Sequence, residues 1–233
     1  MIWAFDGKIG GVGKSIGAAT CIERLAKLGE FSVIEADVNN NVGAYADGIA
    51  KKVWRVNLLA SSGWLDLASA IADEPCSEIV LSLPAGSDTV GHAEILRDVL
   101  TETNRQMALM WMMNTMPESV ALLSKALMAF DDLPVQVVPV RNLFFGEQFD
   151  FSIWNESKAR ARFLESGGVD IDFPELIKAV THATFGASPK VRFSAVTGLS
   201  YGHRWALARW LDKTAALYAG IVEKISPVAS CAG

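Results

Sequence analysis

Cysteines, histidines and long apolar runs are scarce or missing in this sequence, and each absence excludes a class of protein. The chain has 233 residues but only three cysteines, Cys21, Cys76 and Cys231. Because they are odd in number and far apart, they form neither a disulfide framework nor a zinc-binding pattern. The three histidines have no metal-ligand spacing either. A disulfide-rich scaffold and a zinc domain are therefore excluded.

Two further absences concern the membrane. No apolar run approaches the ~20 residues that span a bilayer. Met1 leads into an apolar segment without the basic region and cleavage site of a signal peptide. We therefore expect a cytoplasmic protein with no membrane partner. Apolar residues still make up 51% of the chain, which predicts a large buried core. We predict one domain over residues 1–225 and a flexible tail over residues 226–233.

The net charge of −5 is unevenly distributed. Residues 1–156 hold 11 Lys and Arg against 20 Asp and Glu, a net −9, whereas residues 157–233 hold 10 against 6, a net +4. Solvated helix faces explain such a pattern, and so does a basic patch that binds nucleic acid. The candidates for phosphate contacts in this basic part are Lys190, Arg192, Arg204, Arg209 and Lys213.

Apolar runs alternate with helical patterns along the chain, as in a parallel sheet that is covered on both faces. Towards the C-terminus the sequence predicts a short helix over Phe173–Thr181 and a long one over Tyr201–Lys224. The runs that predict strands are Ile2–Phe5, Phe31–Ile34, Val53–Leu59, Glu78–Leu83, Met107–Met113 and Pro134–Val140.

A glycine-rich segment joins the first predicted strand to a helical pattern over Ser15–Leu28. A strand, such a turn, and Gly-Lys-Ser at the start of a helix are the context of a phosphate-binding loop. The alternative is a turn that only caps the helix. In the phosphate-binding interpretation, Lys14 reaches the β- and γ-phosphates of ATP or ADP, and the Ser15 hydroxyl ligates Mg²⁺. The residues predicted to hold the nucleotide here are Gly10, Gly11, Val12, Gly13, Lys14, Ser15 and Ile16.

The segment Gly10–Ser15 resembles the deviant Walker A loop of the ParA/MinD family of ATPases, whose usual form is Lys-Gly-Gly-Val-Gly-Lys-Thr/Ser. In that family the first lysine reaches across a nucleotide-sandwich dimer to the partner's phosphates. Here Ile9 holds the position before the double glycine, and Lys8 lies one residue earlier. The resemblance implies that Lys8 is the candidate for this second catalytic lysine.

A carboxylate is predicted beyond the second strand, where ligands bind in a doubly wound sheet. The family has Asp-x-Asp at this point, and this chain reads Glu35-Ala36-Asp37. The resemblance implies that Asp37 lies near Mg²⁺ and the attacking water, which it would orient. The alternative is an aspartate that caps the next turn.

The strand over Glu78–Leu83 departs from the family pattern. Family members end this strand with Asp-x-Pro-Ala/Pro-Gly, whereas this chain has Ser82-Leu83-Pro84-Ala85-Gly86. A hydroxyl adds no negative charge to a Mg²⁺ shell, so hydrolysis is expected to be weak. Asp88, six residues further on, is the candidate to replace the missing acid.

Three residues at the ends of later strands resemble the adenine site of the family. Asn114 corresponds to an asparagine that reads the purine edge, although a turn asparagine gives the same pattern. Pro139 and Arg141 belong to a segment that packs on the base. Arg141 would stack on or bond to the nucleotide, or else face solvent.

We therefore expect an α/β P-loop NTPase with a mostly parallel, twisted sheet and helices on both faces. The resemblance implies a ParA-like, Mg-ATP-dependent switch for plasmid or chromosome partition. ATP would close a homodimer that binds nonspecific DNA and engages a ParB-like adaptor, so the protein would be associated with the nucleoid or a plasmid. The alternative is an ATP-binding scaffold without hydrolysis, in plasmid stability or conjugative transfer. A metabolic P-loop enzyme is a third reading, but no substrate pocket is evident from the sequence.

Overall fold

A parallel sheet forms the centre of the molecule. The computed structural model describes residues 1–37, 42–131, 133–185 and 191–225. Within these ranges seven strands form one sheet in the order β3-β2-β4-β1-β5-β6-β7, and every neighbouring pair is parallel. The strands are Ile2–Asp6 (β1), Phe31–Glu35 (β2), Lys52–Arg55 (β3), Glu78–Ser82 (β4), Met107–Met113 (β5), Val135–Asn142 (β6) and Ile171–Phe173 (β7).

Helices cover both faces of this sheet, because the inner strands are apolar on both sides. In β1, Trp3 and Phe5 belong to one core, whereas Ile2 and Ala4 belong to the other. All residues of β5 are buried. The helices are Lys14–Leu28 (α1), Val42–Ala46 (α2), Gly63–Asp73 (α3), Ala93–Glu102 (α4), Pro117–Ala129 (α5), Ser152–Asn155 (α6), Lys158–Glu165 (α7), Lys178–Thr184 (α8) and Tyr201–Ile225 (α9).

Two helix sets enclose the two cores. Residues of α1, α2, α8 and α9 contribute to the core that contains Trp3 and Phe5. Residues of α3, α4, α5 and α6 contribute to the opposite core. This arrangement, with a glycine-rich loop between β1 and α1, is an α/β P-loop NTPase fold, so the expected fold class is confirmed.

Two sequence predictions differ from the structure at the edges of the sheet. The helix predicted over Phe173–Thr181 is wrong at its start, because Phe173 ends β7 and α8 begins only at Lys178. Pro174 explains the difference, since a proline disfavours the helical conformation of the residue before it. The strand predicted over Val53–Leu59 is shorter and lies over Lys52–Arg55. The predicted tail, residues 226–233, lies outside the described residues.

None of the helices in the described ranges is long and apolar enough to cross a membrane.

Candidate nucleotide-binding site

The glycine-rich loop lies at the carboxyl edge of the sheet, between β1 and α1. Strand β1 stands between β4 and β5, and the chain leaves it towards β2 on one side and later returns to β5 on the other. The connections therefore change direction at β1. In open α/β sheets this is where a crevice forms outside the strand ends and where ligands bind.

The loop conformation depends on glycines that have left-handed backbone angles. Gly11 has φ 76° and Gly13 has φ 101°, values that other residues rarely adopt. A Cβ on Gly10 or Gly11 would meet no described atom within 4 Å, whereas a Cβ on Gly13 would collide with Asn142 Nδ2. The front of the loop is thus open to a ligand, and its back is packed against β6.

The N-terminus of α1 is available to an anion. Gly13 is the N-cap residue, so no side chain caps this helix end, and its first turn contains no acidic residue. The first backbone N–H groups of a helix lack partners within the helix and carry partial positive charge. A phosphate group at this position would receive both the hydrogen bonds and the favourable dipole.

Lys14 folds back over the loop. Its side chain is buried, and Nζ donates a hydrogen bond to the carbonyl oxygen of Ile9 at 3.1 Å. Burial lowers the pKa of Lys14, and the nearby carboxylates of Asp6 and Asp37 act in the opposite direction. The amine therefore lies where it can exchange the Ile9 carbonyl for a phosphate oxygen. Asp37 is also buried, two residues beyond the end of β2, and its charge acts on Lys14.

Asp6 is a site residue that sequence reasoning missed. It ends β1, is fully buried, and its Oδ1 accepts hydrogen bonds from the backbone N–H groups of Gly7 at 2.7 Å and Lys8 at 3.2 Å. Thr89 Oγ1 donates to Oδ2 at 2.5 Å, and Ser87 Oγ donates to Oδ1 at 3.4 Å. Asp6 thus joins the loop to the segment after β4. The sequence signal for this role was the position of an acidic residue directly before the glycine-rich loop.

Asn142, the last residue of β6, holds the loop from behind. Its Nδ2 donates to the carbonyl oxygen of Val12 at 2.9 Å, and its Oδ1 accepts from the backbone N–H of Phe144 at 3.2 Å. The side chain is buried. Side chains alternate along a strand, so Asn142 and its neighbour Arg141 point to opposite faces. The sequence analysis named Arg141, and the residue beside it makes the contact with the loop.

Two buried acids, Glu35 and Asp37, lie at and just beyond the carboxyl end of β2. Glu35 Oε2 accepts a hydrogen bond from the backbone N–H of Gly43 at 2.6 Å, and Oε1 accepts from that of Asp37 at 3.4 Å. Burial raises the pKa of Glu35 to about 7, against the effect of these hydrogen bonds, and the charge of Asp37 adds to the increase. A proton on Glu35 therefore reduces repulsion at this edge.

Glu35→Gln should make stability less dependent on pH. Between the ordinary pKa of 4.5 and the folded value of about 7, the unfolded chain releases a proton that the folded chain keeps, so the free energy of unfolding falls as pH rises. The loss between pH 5 and pH 8 should be roughly 2 to 3 kcal/mol. Glutamine resembles the protonated acid and should remove this loss.

Urea denaturation at both pH values measures the effect. Glu30→Gln is the matched control, because Glu30 is an exposed residue paired with Lys51 and should keep the wild-type pH profile. If the free energy of unfolding of the wild type and of Glu35→Gln depended equally on pH, the raised pKa of Glu35 would be contradicted.

The carboxyl end of β4 carries Ser82 at the position where the ParA/MinD pattern has an aspartate. Ser82 is buried and pairs in register with Phe5 of β1 and Glu35 of β2. Asp88 lies further along and is mostly exposed; its carboxylate is 3.6 Å from Lys8 Nζ. Lys8 has φ 47°, and its carbonyl oxygen accepts from the N–H of Gly86. The candidate second lysine and the candidate substitute acid are therefore paired with each other.

The residues predicted for the adenine site lie at the carboxyl end of β5 and along the adjacent β6, and each already has contacts within the fold. Asn114 Oδ1 accepts from the N–H of Met116 at 3.1 Å in the turn that begins α5. Pro139 is buried inside β6, in register with Trp111. Arg141 is buried and forms ion pairs with Asp170 at 3.2 Å and Asp172 at 2.5 Å. Their contacts with a nucleotide remain predictions.

A magnesium nucleotide fits the residues that are present. In the described part of the chain no group of three or more His, Cys, Asp and Glu side chains could hold a metal ion by itself. Mg²⁺ in nucleotide sites commonly uses one or two protein ligands and the phosphates themselves. The open loop, the uncapped helix end and the buried lysine provide for the phosphates.

Similarity to known proteins covers most of the chain and not only the glycine-rich loop. No family model matches the sequence. The chain is 28% identical to protein MobD of Acidithiobacillus ferrooxidans over 226 residues, which are 96% of this chain and 98% of MobD. Among solved structures, it is similar to a nucleotide-binding protein in complex with ADP from Archaeoglobus fulgidus, with a TM-score of 0.47 and 16% identity over 74% of this chain and 81% of that one.

A second similar structure is the MinC:MinD cell division protein complex of Aquifex aeolicus, with a TM-score of 0.47 and 14% identity over 94% of this chain and 96% of that one. The match to MobD spans nearly all of both chains. The similarity to MobD therefore concerns nearly the whole chain and is not limited to the glycine-rich loop.

Proposed function

We propose that the protein is an ATP-dependent molecular switch that binds Mg-ATP at the loop between β1 and α1. One observation carries this proposal. The uncapped N-terminus of α1 faces an open loop with left-handed Gly11 and Gly13, and the buried amine of Lys14 lies over that loop. This combination of N–H donors, helix dipole and a lysine is suited to the phosphates of a nucleotide.

The residues of the loop would have different roles in binding the phosphates and the metal ion. The N–H groups around Gly11 and Gly13 would bind the phosphate oxygens, and Lys14 would leave the Ile9 carbonyl for the β- and γ-phosphates. Ser15 would ligate Mg²⁺. The ion, when bound, neutralises charge on the phosphate oxygens. Hydrolysis would transfer the γ-phosphoryl group of ATP to water and release ADP, and Asp37 would orient that water.

The larger cycle is proposed by resemblance to the ParA/MinD family. ATP would close a homodimer in which Lys8 reaches the partner's phosphates, and the dimer would bind DNA without sequence preference and engage a ParB-like adaptor in plasmid or chromosome partition. The Gly10–Ser15 motif supports this assignment. Closure would require Lys8 to leave Asp88, a pair that is partly exposed and therefore weak.

The second candidate is a scaffold that binds ATP without turnover, in plasmid stability or conjugative transfer. The buried hydroxyl of Ser82 favours it, because a serine gives the metal shell no negative charge where the family has an aspartate. In the scaffold ATP would stabilise an assembly, and its γ-phosphate would remain attached.

Steady-state ATP hydrolysis separates the two candidates. We would measure phosphate release with Mg²⁺, with and without duplex DNA, and use Lys14→Ala as the inactive control. The switch predicts turnover that duplex DNA increases and that Lys14→Ala abolishes. The scaffold predicts ATP binding without turnover, and Ser82→Asp would then be expected to increase the rate. DNA that leaves both turnover and ATP affinity unchanged would contradict the proposed partition cycle.

A further inference from the structure

One face of α9 carries two aromatic residues followed by two cations. Tyr201, Trp205, Arg209 and Lys213 are spaced by four residues, so they lie one above the other along the helix, about 6 Å apart at each step. Tyr201 is 77% exposed and Trp205 is 60% exposed. Arg209 and Lys213 are exposed as well. We call these four residues the α9 stripe.

Packing within the chain does not explain the stripe. The residues of α9 that enter the core are Leu207, Trp210, Thr214, Tyr218 and Ile221, on the other side of the helix. Trp210 already fills the inner position, where it packs against Phe193 and Phe173 and donates to the carbonyl oxygen of Pro174. Trp205 thus offers a large aromatic surface to a ligand, since the fold leaves most of it exposed.

A shallow groove of about 290 Å³ runs beside the stripe, lined by Pro174, Glu175, Ala206 and Trp210 together with Trp205, Arg209 and Lys213. Its floor is mostly apolar, and its cations lie at one end of the stripe. A ligand in this groove would place flat apolar groups near Trp205 and negative charge near Arg209 and Lys213.

The cations of the stripe are available to a ligand. The Arg209 guanidinium lies 5.9 Å from the centroid of the Trp205 ring. Within the described ranges neither Arg209 nor Lys213 has a carboxylate partner within 4 Å. Exposed Asp212 and Glu175 lie near them and reduce the local positive charge.

The other basic residues considered for nucleic acid differ from these two. Arg192 is 3.7 Å from the carboxylate of buried Glu23, and Arg204 donates to the carbonyl oxygen of Leu199 at 2.6 Å. Lys190 lies outside the described residues. Of the five candidates, Arg209 and Lys213 therefore have the clearest freedom to bind phosphate, because structural contacts occupy the guanidinium groups of the other two described residues.

We propose that the α9 stripe binds single-stranded nucleic acid, with bases stacked on Tyr201 and Trp205 and phosphates at Arg209 and Lys213. Aromatic side chains stack on any unpaired base, and nearby cations follow the backbone. In a duplex the base faces are already stacked on one another, so the two aromatic residues would have little to bind. The stripe therefore favours a single strand over a duplex. This site requires neither ATP nor a dimer, so it goes beyond the proposed switch.

Fluorescence anisotropy with two labelled probes tests the proposal. One is an oligothymidylate of about 20 nucleotides, longer than a single binding site, and the other is a duplex of the same length. The wild type should bind the single strand more tightly than the duplex. Trp205→Ala should weaken single-strand binding by about tenfold or more and leave duplex binding unchanged. Trp205→Phe should retain much of the affinity, because it keeps an aromatic face.

Three controls separate base stacking on Trp205 from a general effect of exposed aromatic residues, from phosphate binding by the cations, and from a loss of ATP binding. Phe149→Ala removes another exposed aromatic side chain, 75% exposed and in a different part of the chain, and should have no effect. Lys213→Ala should reduce the salt dependence of single-strand binding by about 0.7 in the logarithmic slope. ATP affinity, measured for every variant, should not change. A failure of the proposed ATP binding at the loop is therefore distinguishable from a failure of the proposed single-strand binding at the α9 stripe. Equal binding of both probes, or unchanged binding by Trp205→Ala, would overturn the proposal.

Discussion

Lys14→Ala should weaken ATP binding by about 30-fold or more. In the structure the buried amine of Lys14 donates to the carbonyl oxygen of Ile9, and the charges of Asp6 and Asp37 act on it. When phosphates bind, this amine would be the principal side-chain charge that opposes theirs. Removal of one partner from a buried charged hydrogen bond costs about 2 to 5 kcal/mol, which is the basis of the expected loss.

The measurement is isothermal titration calorimetry with Mg-ATP, and the same titration with ADP tests how much of the effect the γ-phosphate contributes. Lys27→Ala is the matched control, because Lys27 lies exposed in the last turn of the same helix, far from the loop. It should bind ATP like the wild type. An unchanged ATP affinity of Lys14→Ala would end the assignment of this loop to phosphate.

Asp6→Ala should lower the free energy of unfolding by about 3 to 5 kcal/mol. The fully buried carboxylate accepts hydrogen bonds from two backbone N–H groups and two hydroxyls. Alanine removes this acceptor from both backbone N–H groups, whereas the hydroxyls of Ser87 and Thr89, 3.2 Å apart, can still bond to each other. It also removes a negative charge beside Lys14, whose pKa should fall further. For a chain of this size the melting temperature should fall by roughly 10 °C.

Asp6→Asn separates the charge of this residue from its shape. The amide keeps one acceptor oxygen, so its destabilisation should be about half that of Asp6→Ala. Asp98→Ala is the control, since Asp98 is exposed on α4 and pairs with the adjacent Arg97. Urea denaturation and thermal melting compare the four proteins. If Asp6→Ala melted within 2 °C of the wild type, at most about 1 kcal/mol would be lost, and Asp6 would not hold the loop to the segment after β4.

The sequence was sufficient for six of the seven strands of the sheet, because these are either continuous apolar runs or end at recognisable turns. Met107–Met113 and Glu78–Ser82 were predictable for this reason. Strand β7 was missed because it has only three residues, among them Asp172, and gains its burial from contacts with β6. Three residues give too short a pattern to distinguish alternation from helical spacing.

The loop itself was predictable, because its glycines and lysine are local in sequence. Its supports were not, since Asp6 and Asn142 act through partners that are 83 and 130 residues away, at Thr89 and Val12. Single-sequence patterns carry no information on such distant pairs. Arg141 is the converse case. Its sequence neighbourhood resembled a base-binding segment, whereas its buried guanidinium contacts the acids around β7.

The ion pairs of Arg141 set a limit on how the chain can be shortened. Burial alone would raise the pKa of Asp170, but hydrogen bonds from Arg160 and Trp154 and the charge of Arg141 outweigh it and lower that pKa. A fragment that stopped at the end of β6 would lose the ion pairs of Arg141 with Asp170 and Asp172, and with them the strand that pairs with β6 at this position. The smallest autonomous piece of this protein must therefore extend through β7, even though the phosphate loop and its supports are complete by residue 142.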